Sequence, residues 1–144
     1  MKFRLIKARD ISKDDEASWR RLAERAVEPN PYTEPDFFRV SSRHFAGYAN
    51  ATVVVAEEGA EFRALLPIAA IGKRRIPPRK VADTRSIPTA VFGVGTPLID
   101  GTKPEQSMTG LMGALGNAGK DDNWPGIVSL ERLRTEGPVS IRQH

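Results

Sequence analysis

Two prolines flanking one residue, Pro29-Asn30-Pro31, constrain this chain more than any other feature. Proline lacks an N–H, clashes with the carbonyl four residues back, and biases the residue before it towards extended backbone. No helix can run through this point, yet both flanks read as helices. Upstream, Ser12 with Asp15 three residues on makes a capping-box start. Trp19, Leu22, Ala23, Ala26 and Val27 then follow at i, i+3, i+4, i+7 and i+8, one apolar stripe. Downstream, Thr33 and Asp36 repeat the capping pattern, and Pro35 sits in the first turn, where its missing N–H costs nothing. Phe37, Val40, Ser41, His44 and Phe45 define the inner face of that second helix, and Gly47 closes it. His44 on this stripe reads as a satisfied, semi-buried residue rather than a catalyst. Trp19–Phe38 is therefore a corner between two capped amphipathic helices, each needing a further layer to cover its apolar face.

Strands supply that layer. Residues 3–9 alternate in polarity and predict a first strand. The β-branched run 51–57, a turn over 58–61 and a return strand over 62–71 predict a hairpin. Pro67 within the return strand implies a bulge or an edge-facing position. Residues 72–89 hold three prolines and most of the positive charge, and read as a long loop. Residues 91–100 resume strand character, interrupted by Gly93, Gly95 and Pro97. Thr102 is expected to cap a third helix, with Pro104 just inside and Glu105 completing the box. Met108, Leu111, Met112 and Leu115 form its stripe, and Gly119 ends it. Gly110, Gly113 and Gly116 cost about 1 kcal/mol each against alanine, so close approach of another backbone is expected there. A short strand over 126–130 completes a βαβ unit, which predicts that 96–100 and 126–130 run parallel.

Composition removes several function classes. The chain of 144 residues fits one domain, 1–144, with room for a core. With no cysteine, a disulfide framework and a thiolate metal site are both excluded, and two histidines leave little for imidazole chemistry. No metal is expected. The N-terminus lacks a signal-peptide apolar run, and no segment approaches the roughly 20 apolar residues of a membrane span. A cytoplasmic protein is the expectation. The net charge of +4 is concentrated in residues 73–85, which hold six Lys or Arg and one Asp. A nucleic-acid footprint is normally wider, and this stretch has no interleaved aromatics for base stacking. Nucleic acid is therefore a disfavoured partner. Arg74, Arg75, Arg79 and Lys80 remain candidates for binding an anion or an acidic partner, against the simpler reading of a solvated loop.

Asp100-Gly101-Thr102-Lys103 offers the best physical site, because it leads from a strand end into a helix N-terminus. Unsatisfied N–H groups and the helix dipole there attract phosphate, and Lys103 adds a cation. The simpler reading is an ordinary capped helix. Gly93-x-Gly95 is not a dinucleotide fingerprint, since the third glycine is missing and the helix begins too late. No nucleophile motif occurs. Asp83, Asp100, Asp121 and Asp122 are candidate bases that the sequence alone does not bring together.

The order strand, helix, helix, hairpin, strand, helix, strand resembles the first part of a GNAT-type acyltransferase. Trp19-x-x-Leu22-Ala23, followed by Glu28-Pro29-Asn30-Pro31-Tyr32-x-Glu34-Pro35-x-Phe37, resembles the N-terminal motif of the FemAB-like, CelD-type bacterial acetyltransferases. Leu66-Pro67, Gly95-Thr96-Pro97-Leu98-Ile99-Asp100 and Trp124-Pro125-Gly126-Ile127-Val128-Ser129-Leu130 fit the same pattern. The resemblance spans about residues 18–138. It implies an α/β fold with a GNAT-like mixed sheet flanked by helices, incomplete at the C-terminus because members of that family carry two such halves. It further implies acetyl-CoA or another acyl-CoA as donor, an amine as acceptor, and phosphate contacts at Gly101, Thr102 and Lys103. The family's usual Gln/Arg-x-x-Gly-x-Gly/Ala phosphate loop is replaced here by Asp100-Gly101-Thr102-Lys103-Pro104. A rival reading is a non-catalytic interaction module that dimerises through an open sheet edge. A third is nucleic-acid or anionic-surface binding through 73–85.

Overall fold

The computed structural model describes residues 1–44, 51–73, 80–83, 96–118 and 127–129, with side chains described over 1–44, 51–68 and 96–117. Its elements are β1 (Lys2–Lys7), α1 (Lys13–Arg25), α2 (Pro35–His44), β2 (Ala51–Glu58), β3 (Glu61–Lys73), β4 (Lys80–Asp83), β5 (Leu98–Ile99), α3 (Pro104–Ala118) and β6 (Ile127–Ser129). Short 3-10 turns at Ala8–Asp10 and Pro31–Thr33 precede α1 and α2. The sheet runs β1-β2-β3-β4-β6, with β5 also on β3. All pairings are antiparallel except β4 with β6.

The central strands are covered on both faces. Val53, Val55, Phe62 and Leu65 pack with Trp19, Leu22 and Phe38 of the helical corner. Val54, Ala56, Ala64 and Leu66 point the other way, against Met108, Leu111 and Ala114 of α3. The period-2 alternation of side chains turns the continuous apolar run of β2 into two cores separated by one sheet.

The capping box at Ser12 and Asp15 forms as expected, each side chain accepting from the other's backbone N–H. The first helix stops earlier than its stripe. Ala26 and Val27 leave it as extended chain: Ala26 bridges Asp100, and the Val27 N–H donates to the Ile99 carbonyl at 2.9 Å. The inner face of α2 is also one residue off expectation. Pro35, Phe38 and Ser41 are buried, whereas Val40 and His44 are exposed. Adjacent Phe37 and Phe38 allow either register. Trp19 decides between them by stacking on Phe38 with centroids 5.2 Å apart. Thr33 caps nothing; its hydroxyl donates to the Asn30 carbonyl and closes the 3-10 turn.

Residues 72–89 are not simply a loop, because Lys80–Asp83 forms β4. β4 and β5 lie end to end along the edge of β3 away from β2. Ala69 faces Asp83 and Leu65 faces Leu98, so four steps along β3 correspond to fifteen along the opposing chain. The expected parallel pairing of 96–100 with 126–130 is not found; β6 pairs with Val81–Asp83 of β4 instead. β5 has no edge left for it, being hydrogen-bonded to β3 on one side and to the tail of α1 on the other. Gly110 and Gly113 of α3 meet side chains rather than backbone. A Cβ at Gly113 would lie 3.0 Å from the Phe3 ring, one at Gly110 would strike Met1, and one at Gly116 would meet nothing.

Candidate functional site

Two neighbouring features gather where the end of α1 crosses the strand that enters α3. The first is centred on Asp100, whose residue is fully buried. Its carboxylate accepts from Arg63 Nη1 at 2.6 Å and from Arg25 Nε at 3.0 Å. It also accepts from the Thr102 N–H at 2.9 Å and the Thr102 hydroxyl at 2.8 Å. Burial alone would raise the pKa of this acid. The hydrogen bonds from Arg63, from the Thr102 backbone and hydroxyl, and from Arg25 outweigh it, so the carboxyl is held well below the usual range.

Gly101, Thr102 and Lys103 do come together at the N-terminus of α3, but their N–H groups are engaged within the chain. Gly101 donates to the Arg25 carbonyl at 2.9 Å, Thr102 to Asp100, and Lys103 to the Asp100 carbonyl at 3.3 Å. Pro104 has no N–H to offer. The Thr102 hydroxyl, expected to cap α3, is instead a donor to the Asp100 carboxylate, which also accepts from the Thr102 N–H ahead of the helix. A pyrophosphate finds no free N–H cradle at these three residues. What they leave for an anion is the Lys103 ammonium, partly exposed and 3.5 Å from Glu58 Oε1.

The second feature is two buried groups with no hydrogen-bond partner among the described residues, where Arg63 Nε and Ser107 Oγ also lack one. Glu28 is 8% exposed, and neither carboxylate oxygen has a hydrogen bond. Thr96 is 1% exposed, and its hydroxyl is likewise unpaired. Their segments are adjacent, since Asn30 Nδ2 donates to the Thr96 carbonyl at 2.9 Å. Buried polar groups are nearly always satisfied, so such exceptions mark places where something is missing or where chemistry occurs. Sequence reasoning named Glu28 and Thr96 only as parts of larger motifs. Nothing in a sequence separates an unpaired glutamate from a solvated one, because that depends on what folds over it.

Arg74, Arg75 and Arg79 lie outside the described residues, as do Asp121 and Asp122. Lys80 opens β4 opposite Lys73, and Asp83 closes it opposite Ala69. Among the described residues no group of three His, Cys, Asp or Glu could hold a metal ion, and no helix is long and apolar enough to cross a membrane.

No protein-family model matches this chain, and no curated protein matches its sequence. Solved structures do. A ribosomal-protein-alanine N-acetyltransferase from Brucella melitensis biovar Abortus 2308 superposes with a TM-score of 0.58 at 12% identity, over 99% of this chain and 87% of that one. A Bacillus halodurans protein matches at 14% identity with a TM-score of 0.45, over 100% of this chain and 90% of that one. At such identity the first likeness establishes the fold: this is a GNAT-like α/β architecture.

Proposed function

We propose that residues 1–144 form one GNAT-type N-acyltransferase module, in which Glu28 deprotonates an amine acceptor. The unpartnered Glu28 carboxylate carries this reading. It sits in the connector between α1 and α2, alongside the strand that enters α3. A buried carboxylate with no internal donor is free to accept a proton from a substrate ammonium. The amine then attacks the carbonyl of an acyl thioester, the C–S bond breaks, and the proton shed by the new amide nitrogen passes to the departing thiolate, which leaves as thiol. Acyl-CoA is the donor class that the fold neighbour's name suggests, since that protein is called an N-acetyltransferase. For the donor phosphates we retain Lys103, with Gly101 and Thr102 shaping the turn that presents it. The FemAB-like, CelD-type membership remains part of this proposal, resting on the Trp19–Phe37 wording.

The test is acetyl-CoA calorimetry together with thiol release in the presence of an amine panel that includes peptide N-termini. Wild type should bind acetyl-CoA and release thiol. Glu28→Gln should keep the binding and lose at least a hundredfold in turnover, the scale of one general base. Absence of acetyl-CoA binding at millimolar concentration sinks the reading.

One observation favours a second reading. The N–H groups of Gly101, Thr102 and Lys103 just ahead of α3 are all engaged within the chain, as expected of a module that no longer binds an anion there. Under this reading the chain is an interaction piece and pairs with a second copy. Light scattering should then show a dimer that acetyl-CoA neither binds nor stabilises.

A further inference from the structure

β1 ends the sheet, and among the described residues it is paired with β2 alone. Alternate residues of Lys2–Lys7 therefore aim an N–H and a C=O outward with no strand to meet them. The two faces of this edge differ. On one, Ile6 joins the core beneath α1 and α2, and Arg4 is held by Asp15 and Glu57 at 3.0 and 3.3 Å. On the other, Gly113 and Gly110 of α3 leave room for the Phe3 ring and for Met1, yet Met1, Phe3 and Leu5 are still 46%, 39% and 41% exposed. Lys2 and Lys7 stand exposed at the two ends of the strand. Among the described residues neither has an ionic partner.

From this edge we propose that β1 docks an extended acidic peptide segment, which joins the sheet as a further strand. The backbone of the segment pairs with the outward N–H and C=O groups of β1, and side chains in alternation supply selectivity. Apolar residues of the segment cover Phe3 and Leu5, and carboxylates at its two ends meet Lys2 and Lys7. Charge decides the occupant. A second copy laid antiparallel in full register on this edge would set Lys2 against Lys7 at both ends, and like charges directly opposite are destabilising. An acidic strand turns both of those contacts into attractions. The proposal does not rest on acyl transfer, because no residue of this edge belongs to the Glu28 or Asp100 features.

Fluorescence anisotropy of the full chain with labelled, end-capped hexapeptides tests it. Glu-Thr-Val-Thr-Val-Glu should bind one-to-one, and about tenfold tighter than Lys-Thr-Val-Thr-Val-Lys, the scale of two exposed ion pairs. Of two versions of the glutamate peptide N-methylated at alternate residues, only the one whose N–H groups face β1 should lose binding. The double variant Lys2→Glu, Lys7→Glu alters exposed side chains only, so it should melt as wild type does and prefer the lysine peptide instead. Glu28→Gln should leave peptide affinity unaltered, which separates this edge from the acyl-transfer site. No binding of the glutamate peptide at millimolar concentration, equal effects of the two methylation patterns, or an unchanged preference in the double variant each overturns the proposal. So does a wild-type dimer that Leu5→Glu splits, because a second copy is then the occupant.

Discussion

Asp100 holds a negative charge in a residue with no solvent exposure, and it does so because Arg25, Arg63 and Thr102 converge on it. Removing the charge weakens the hydrogen bonds of Arg25 and Arg63, which keep Glu61 and Glu58 as second ionic partners, and hydrogen bonds to a charged group are worth about 1.5–3 kcal/mol. Asp100→Asn should therefore lower stability by that order in chemical denaturation at pH 7. The sign of the pH effect follows from the depressed pKa. Stabilisation by a carboxyl held below its unfolded value, near 3.9, is fully present above that value and is lost as pH falls towards the folded one. Unfolding free energy should drop steeply below about pH 4 in wild type and more gently in Asp100→Asn. Glu28 differs in its pairing. Its carboxylate has no hydrogen-bond partner to lose, so Glu28→Gln should not lower the melting temperature even as it removes turnover. Both acids stand plainly in the sequence. Which of them is paired was not legible there, since Arg25 and Arg63 reach Asp100 from other elements.

At the scale of elements, local signals did well wherever the chain itself supplies the partner. The Ser12–Asp15 box formed, and the hairpin turned through Gly59, whose φ of 63° suits glycine. They failed where a distant group chose between equal options. Trp19 selected Phe38 over Phe37, and the Ile99 carbonyl drew Val27 out of the helix. Trp19→Phe should cost about 1–3 kcal/mol, because it keeps the ring contact but leaves the buried Thr33 carbonyl without its donor. Glycines divide in the same way. Gly116 meets nothing, so Gly116→Ala should stabilise α3 by about 0.5–1 kcal/mol. A Cβ at Gly101 would lie 2.7 Å from the Arg25 carbonyl oxygen, a backbone atom that cannot swing aside. Gly101→Ala should destabilise the chain by about 1–3 kcal/mol. Thermal melts of the two glycine variants, moving in opposite directions, check both.

Across the whole molecule, one sheet divides two cores and ends at β1, where Met1, Phe3 and Leu5 are exposed along with Met112 of α3. If the interaction reading holds, this edge is the surface a second copy covers. Leu5→Glu should then convert a dimer to a monomer by light scattering, and a strictly monomeric wild type counts against that reading. The sequence by itself determined the kinds and order of the elements other than β4, which it read as loop, because prolines, caps and the periods 2 and 3.6 act over a few residues. Its order of elements anticipated a GNAT-like α/β fold. Only tertiary structure decided that β6 joins β4 rather than β5, since the tail of α1 already occupies β5's free edge. Only tertiary structure buried Asp100 among arginines and Glu28 among none. Burial and pairing are properties of the space between elements, and no local pattern encodes them.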